Sequence, residues 1–154
     1  MSLPINMTEI VSELPSRSRG KACIVLTHDY IGQKEWSAEL ARQTRSEHIA
    51  LLELFGQNTD FGNRISHIMV PSLFELLKGY DKFPVLVVSG IEFLKATWSG
   101  QVNSIDQFAS RVETWNQNPC ILFVLQYDKF IATREFSRHR QHTFVIDQKD
   151  TLAL

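Results

Sequence analysis

The sequence predicts an α/β domain of three layers, with a mainly parallel five-stranded sheet held between helices. Two patterns carry that expectation. Five apolar runs of strand length, at residues 22–26, 49–54, 85–88, 120–125 and 143–146, alternate with stretches of helical spacing, and strands joined by crossovers of that length pair in parallel. In the third run Val85, Leu86, Val87 and Val88 are apolar at every position rather than at alternate ones, which marks a strand covered on both faces. A chain of 154 residues with 44% hydrophobic content can bury one core and is too short for two, so residues 1–154 are read as a single domain.

In chain order, residues 6–14 carry Ile10, Val11 and Leu14 at helical spacing, with Asn6 or Thr8 as a cap and Pro15 as the stop. The next segment, 16–21, is a polar turn bearing Arg17, Arg19 and Lys21; a solvated loop is expected there, with a phosphate-binding patch as the alternative. After the first strand, residues 33–45 become helical, with Trp36, Leu40 and Ala41 toward the core. The second strand is expected at 49–54, followed by a glycine- and asparagine-bearing loop at 55–63. Helical spacing resumes over 65–80, where Leu73, Leu76 and Leu77 form a stripe and Pro71 marks a helix start. Beyond the third strand, Phe93, Leu94 and Trp98 precede a break at 100–103. Ser104 caps a helix through Trp115, in which Ile105, Phe108, Val112 and Trp115 keep the helical period. Residues 116–119 turn the chain into the fourth strand, which ends at Gln126; 127–136 read as a short helix or loop before the fifth strand.

Composition excludes several function classes. Sixteen basic residues nearly cancel seventeen acidic ones, so no global field steers the protein toward nucleic acid or an anionic membrane. No stretch approaches the roughly 20 apolar residues of a membrane helix, and no signal core follows the N-terminus; a cytoplasmic location is expected. Met1, Ser2 and Leu3 read as a leader, with Met7 as another start. Cys23 and Cys120 each open an apolar run and are expected as buried free thiols, since two cysteines cannot furnish a four-thiolate zinc site.

Ligands of parallel sheets bind at the carboxyl ends of strands. The residues there are Thr27, His28, Asp29, Tyr30, Ile31, Gly32, Gln33 and Lys34 after the first strand, Ser89, Gly90, Ile91 and Glu92 after the third, and Gln126 after the fourth. The order resembles that of P-loop nucleoside triphosphatases, specifically the compact core of the RecA-like and AAA-type branch. The resemblance implies a phosphate-binding loop at 27–34, an acidic metal-binding motif at 89–92, and a phosphate sensor at Gln126. It also implies that the first and fourth strands are neighbours, with Cys23 and Cys120 at their amino ends. The segment from Val88 to Leu94 is similar to the aspartate, x, isoleucine, glutamate motif in the small P-loop component of BREX phage-defence systems, the BrxF family.

The residues depart from that pattern. Backbone amides wrap phosphates closely only where glycines allow it, and a lysine then neutralises charge. Here Gly32 is the only glycine of the loop, Gln33 stands where the lysine belongs, Lys34 comes one place late, and Asp29 adds a negative charge. Ser89 occupies the metal-holding aspartate's slot, and Glu92 remains as a candidate water-activating base. The expectation is therefore a non-catalytic P-loop-like domain that binds other proteins, in a prokaryotic phage-defence or DNA-transaction complex. One alternative is an ATPase with magnesium and ATP as cofactors, using Gly32, Lys34, Ser89 and Gln126 for binding and Glu92 for catalysis.

A second alternative is nucleic-acid binding through Arg134, Arg138 and Arg140, where each charge contributes by counterion release. The same arginines also suit a neighbouring subunit's nucleotide, or a solvated face balanced by Asp147 and Asp150. Trp98 is a candidate interface anchor and otherwise a core residue. Ser89 and Gly90 lack the first glycine of a nucleophile elbow, since Val87 stands there. His28 and Asp29 lack a third metal ligand, and His48 and His67 read as structural.

Overall fold

The computed structural model of the chain describes residues 3–29, 31–57, 69–98, 104–139 and 142–154. Five parallel strands form one sheet: β1 (Ala22–Thr27), β2 (Glu47–Ala50), β3 (Val85–Ser89), β4 (Cys120–Gln126) and β5 (Val145–Asp147), in the order β2-β3-β4-β1-β5. The seven helices among the described residues are α1 (Met7–Glu13), α2 (Gln33–Thr44), α3 (Leu51–Gln57), α4 (Val70–Lys78), α5 (Glu92–Trp98), α6 (Ser104–Thr114) and α7 (Lys129–Thr133).

Alternation along the strands divides the core in two. Ile24, Leu26, Leu86, Val88, Ile121, Phe123 and Leu125 point to one face, where α4, α5 and α6 bring Leu73, Phe74, Leu94, Trp98, Phe108 and Val112. Cys23, Val25, Val85, Val87, Leu122 and Val124 point to the other, against Met7 and Val11 of α1 and Leu40 and Ala41 of α2. This is the three-layer α/β architecture, and it accounts for the unbroken apolar runs of β1, β3 and β4.

Local chemistry sets the ends of several elements. The Asn6 side chain accepts from the backbone N–H groups of Thr8 and Glu9 and caps α1, and Pro15 falls in a single 3-10 turn at Leu14–Ser16 that stops it. Pro71 sits in the first turn of α4, where its missing N–H costs nothing. Asp128 Oδ1 accepts from Ile131 N at 3.0 Å and starts α7. Gly20, at φ +67°, turns the chain into β1, and a Cβ there would stand 2.8 Å from the Phe144 ring.

Two strand boundaries differ from expectation. The second strand is Glu47–Ala50 rather than 49–54, and Leu51–Gln57 is helical. Leu51 and Phe55 are buried one helical turn apart while Leu52 and Glu53 face out, so the apolar run at 49–54 joins the end of an edge strand to the inner side of a helix. The fifth strand begins at Val145 rather than Thr143. The expected loop at 55–63 is helical through Gln57. Its remainder, the helical start expected at 65–68 with His67, the break at 100–103, and Met1 and Ser2 lie outside the described residues.

Candidate functional site at the carboxyl edge of the sheet

The residues singled out in sequence converge here because β1, β3 and β4 end side by side. Thr27 pairs with Gln126 across β1 and β4, and Ser89 pairs with Val124 across β3 and β4. Gly32 leads into α2, its carbonyl accepting from Trp36 N at 3.0 Å. Its φ of −86° and ψ of −1° are ordinary right-handed values, so nothing in its conformation requires glycine.

Gln33, the first residue of α2, is 3% exposed and is the hub of the site. Its Nε2 donates to Glu92 Oε1 at 2.7 Å and to Thr27 Oγ1 at 3.3 Å, while its Oε1 accepts from Gly90 N at 3.0 Å. Glu92 Oε1 also accepts from the backbone N–H of Gln126 at 2.7 Å, and Thr27 Oγ1 donates to Leu125 O at 3.3 Å. One amide side chain thus ties the start of α2, the turn from β3 into α5, and the ends of β1 and β4. Gly90 makes that turn at φ +74°, where a side chain would be strained. Glu92 Oε2 is buried and has no hydrogen-bond partner among the described residues. Gln126 enters the network through its backbone N–H, and its side chain is exposed at the end of β4.

Ser89 is buried and its Oγ lies 2.9 Å from His48 Nε2 on the neighbouring strand β2. Burial lowers the pKa of His48 below the ordinary histidine value, the charge of Lys34 adds to that, and Glu53 opposes it. Lys34 lies outward on the first turn of α2 and forms an ion pair with Glu53 of α3, both side chains about half exposed. Between these elements runs a cleft of about 260 Å³, with Ile31, Ala50 and Leu52 as apolar walls and Lys34, Glu35 and Glu53 among its charged lining. Gln33, Ser89 and Gly90 also line it.

These residues fit a triphosphate with magnesium poorly. Both ends of the Gln33 amide are engaged within the protein, Lys34 is paired with a carboxylate, and Asp29 closes its own turn by accepting from Ile31 N at 3.0 Å. Tyr30 lies outside the described residues. Among the described residues no group of three or more His, Cys, Asp or Glu side chains could hold a metal ion.

The other candidates stand apart from the hub. His28 pairs with Asp147 of β5, not with Asp29: its Nε2 lies 2.9 and 3.0 Å from the two carboxylate oxygens, and its ring stacks on Tyr127. Arg134 is partly buried and tied to its own chain, with Nε donating to Asp106 at 2.9 Å, a guanidinium nitrogen 4.0 Å from buried Glu113, and its guanidinium over the Phe136 ring. Arg138 is exposed and its backbone N–H donates to Glu113 Oε2 at 2.8 Å; Arg140 lies outside the described residues. Trp98, considered as an interface anchor, is 1% exposed and packs near Phe108. It is a core residue, because the inner face of α5 turns it toward α6. Arg17, expected in a solvated loop, is buried, with Nη1 donating to Gly20 O at 3.1 Å.

Sequence reasoning assigned no role to Gln33, and it read His48 as merely structural. The signal available for Gln33 was its place at the start of a helix that follows a buried strand. The pairings of His48 with Ser89 and of His28 with Asp147 span 41 and 119 positions, and no local pattern announces them. Fold and site together define a parallel α/β domain with a polar, self-bonded network and a small cleft at its carboxyl edge. The sequence matches no protein-family model, and no curated protein matches it.

Proposed function

We propose that this chain is a P-loop NTPase-like domain of the RecA/AAA-type branch that lost its phosphate grip and works by binding other proteins, as a subunit of a prokaryotic phage-defence or DNA-transaction complex. The observation that carries this reading is the Gln33 amide. In the slot of the phosphate-binding lysine it spends its donors on Glu92 and Thr27 and its acceptor on Gly90 N, so the carboxyl edge is knitted to itself. The adjacency of β1 and β4 supports the branch, since that order is the one the resemblance implies. Exposed Ile31, Leu52, Tyr127 and Phe130 all follow carboxyl ends of strands, and apolar side chains gathered at one edge suit contact with protein.

Isothermal titration of the protein with magnesium-ATP tests the reading. The expected result is no saturable binding up to concentrations of about 1 mM; micromolar binding abolished by Lys34→Ala overturns it. A second reading, ATP hydrolysis through Lys34 and Glu92, is favoured by Glu92 Oε2 at the start of α5, which is buried and has no hydrogen-bond partner among the described residues. Turnover that survives Glu92→Gln unchanged removes that assignment.

A further inference from the structure

The cleft beside Gln33 has a size, a lining and a charge that choose an occupant. Its volume, about 260 Å³, falls below the roughly 300–1,000 Å³ of sites that enclose a whole drug-sized molecule, and suits one long side chain. Its walls are apolar at Ile31, Ala50 and Leu52, and Ile31 is 86% exposed, so an alkyl stem laid between them removes apolar surface from water. Its charged lining is one ammonium, Lys34, against two carboxylates, Glu35 and Glu53. One hydrogen bond behind the Gln33 wall, Glu92 adds a third carboxylate. The balance is negative, which repels a phosphate and attracts a cation.

Resting on the protein-interaction reading above, we propose that this cleft receives an arginine side chain from the partner protein. Its stem lies between Ile31 and Leu52, and its guanidinium takes Glu53 from Lys34 and reaches Glu35. A guanidinium offers a planar fork to carboxylates where an ammonium offers a point charge, so it displaces Lys34 as the better partner. Lys34, now in competition, is an opponent of binding rather than a contributor. This reverses its role in any nucleotide site, where the same ammonium would be the main attraction.

The test follows methyl resonances of Ile31, Ala50 and Leu52 by NMR while a short acetylated and amidated glycine peptide with one central arginine is added. A matched peptide with norleucine in place of the arginine is the control for the stem alone. Saturable shifts confined to these methyls are expected with the arginine peptide. Glu53→Gln should weaken that peptide roughly ten-fold, the loss of one charge-assisted contact, and Lys34→Ala should strengthen it several-fold. Both positions are about half exposed, so neither variant threatens the fold, and retained spectra elsewhere confirm it. The inference is overturned if the arginine peptide gives no saturable shift, if the norleucine peptide binds equally well, or if Lys34→Ala weakens binding. A magnesium-ATP titration of the same sample separates the two claims. ATP binding alongside arginine binding removes only the claim that the phosphate grip is lost, whereas silence toward both ligands removes only the arginine cleft. ATP binding with no arginine binding removes both.

Discussion

Gln33 carries both a donor and an acceptor at the tip of one side chain, and the site around it needs both. Gly90 N must be accepted, and Glu92 and Thr27 must be donated to; a lysine has three donors and no acceptor, so it would leave Gly90 N without its partner. Gln33→Leu keeps the bulk and deletes the polar atoms. Its expected cost is about 1–3 kcal/mol from groups left unsatisfied, read as a lower denaturant midpoint with an unchanged slope. Gly32 gives a milder expectation. Its backbone is right-handed, and among the described residues the nearest atom beyond its chain neighbours to a methyl group placed on it would be Asp29 Oδ2 at 3.8 Å. In Gly32→Ala the gain of about 0.4–1 kcal/mol through the unfolded chain is offset by the poorer fit of alanine at the N-cap of α2, so the melting temperature should change little. A large loss instead would mean that this turn is held in a different backbone conformation. Much of this was legible in sequence as absence, since one glycine and a glutamine cannot build a phosphate cradle. What the glutamine does instead was not legible, because its three partners come from positions 27, 90 and 92.

At the scale of elements, the pairing of β2 with β3 places His48 beside Ser89. β2 is an edge strand, and its outward residues are polar or half-exposed; α3 then carries Leu51 and Phe55 back to the core. The sequence run 49–54 could not divide itself between the two, because apolar residues in a short run satisfy either period. The environment of His48 makes a pH prediction. Its pKa is lowered in the fold, chiefly by burial, so the folded state favours the neutral ring. The corresponding stability is present above the unfolded value of about 6.5 and is lost as pH falls through the lowered folded value. Denaturant midpoints measured from pH 8 to pH 5 should fall for the wild type and fall less for His48→Gln, which keeps a polar atom near Ser89. Identical slopes would show that the ring titrates as it does in water.

At the scale of the molecule, the two helical layers close both faces of the sheet over its central strands. Cys23 and Cys120 lie at the amino ends of adjacent β1 and β4, both buried on the face covered by α1 and α2. Burial, partly opposed by the charge of Arg17, pushes the Cys23 thiol up to about 12, and burial also raises that of Cys120. Since thiolates are the reactive species, neither should react with a thiol reagent at pH 8 while the protein is folded, and both should react in denaturant; modification of the native protein would refute this packing. By itself the sequence determined the class of fold, the three central strands, the capped end of α1, the proline start of α4 and the burial of both thiols. Each of these follows from residues close together in the chain, through periodicity, capping and proline or glycine geometry. Only the tertiary structure decided that Trp98 and Arg17 turn inward, that Arg134 is tied to Asp106, and that Gln33 clamps Glu92. Those outcomes depend on which strand ends lie side by side, and hydrogen bonds between distant positions exist only once the sheet has brought them together.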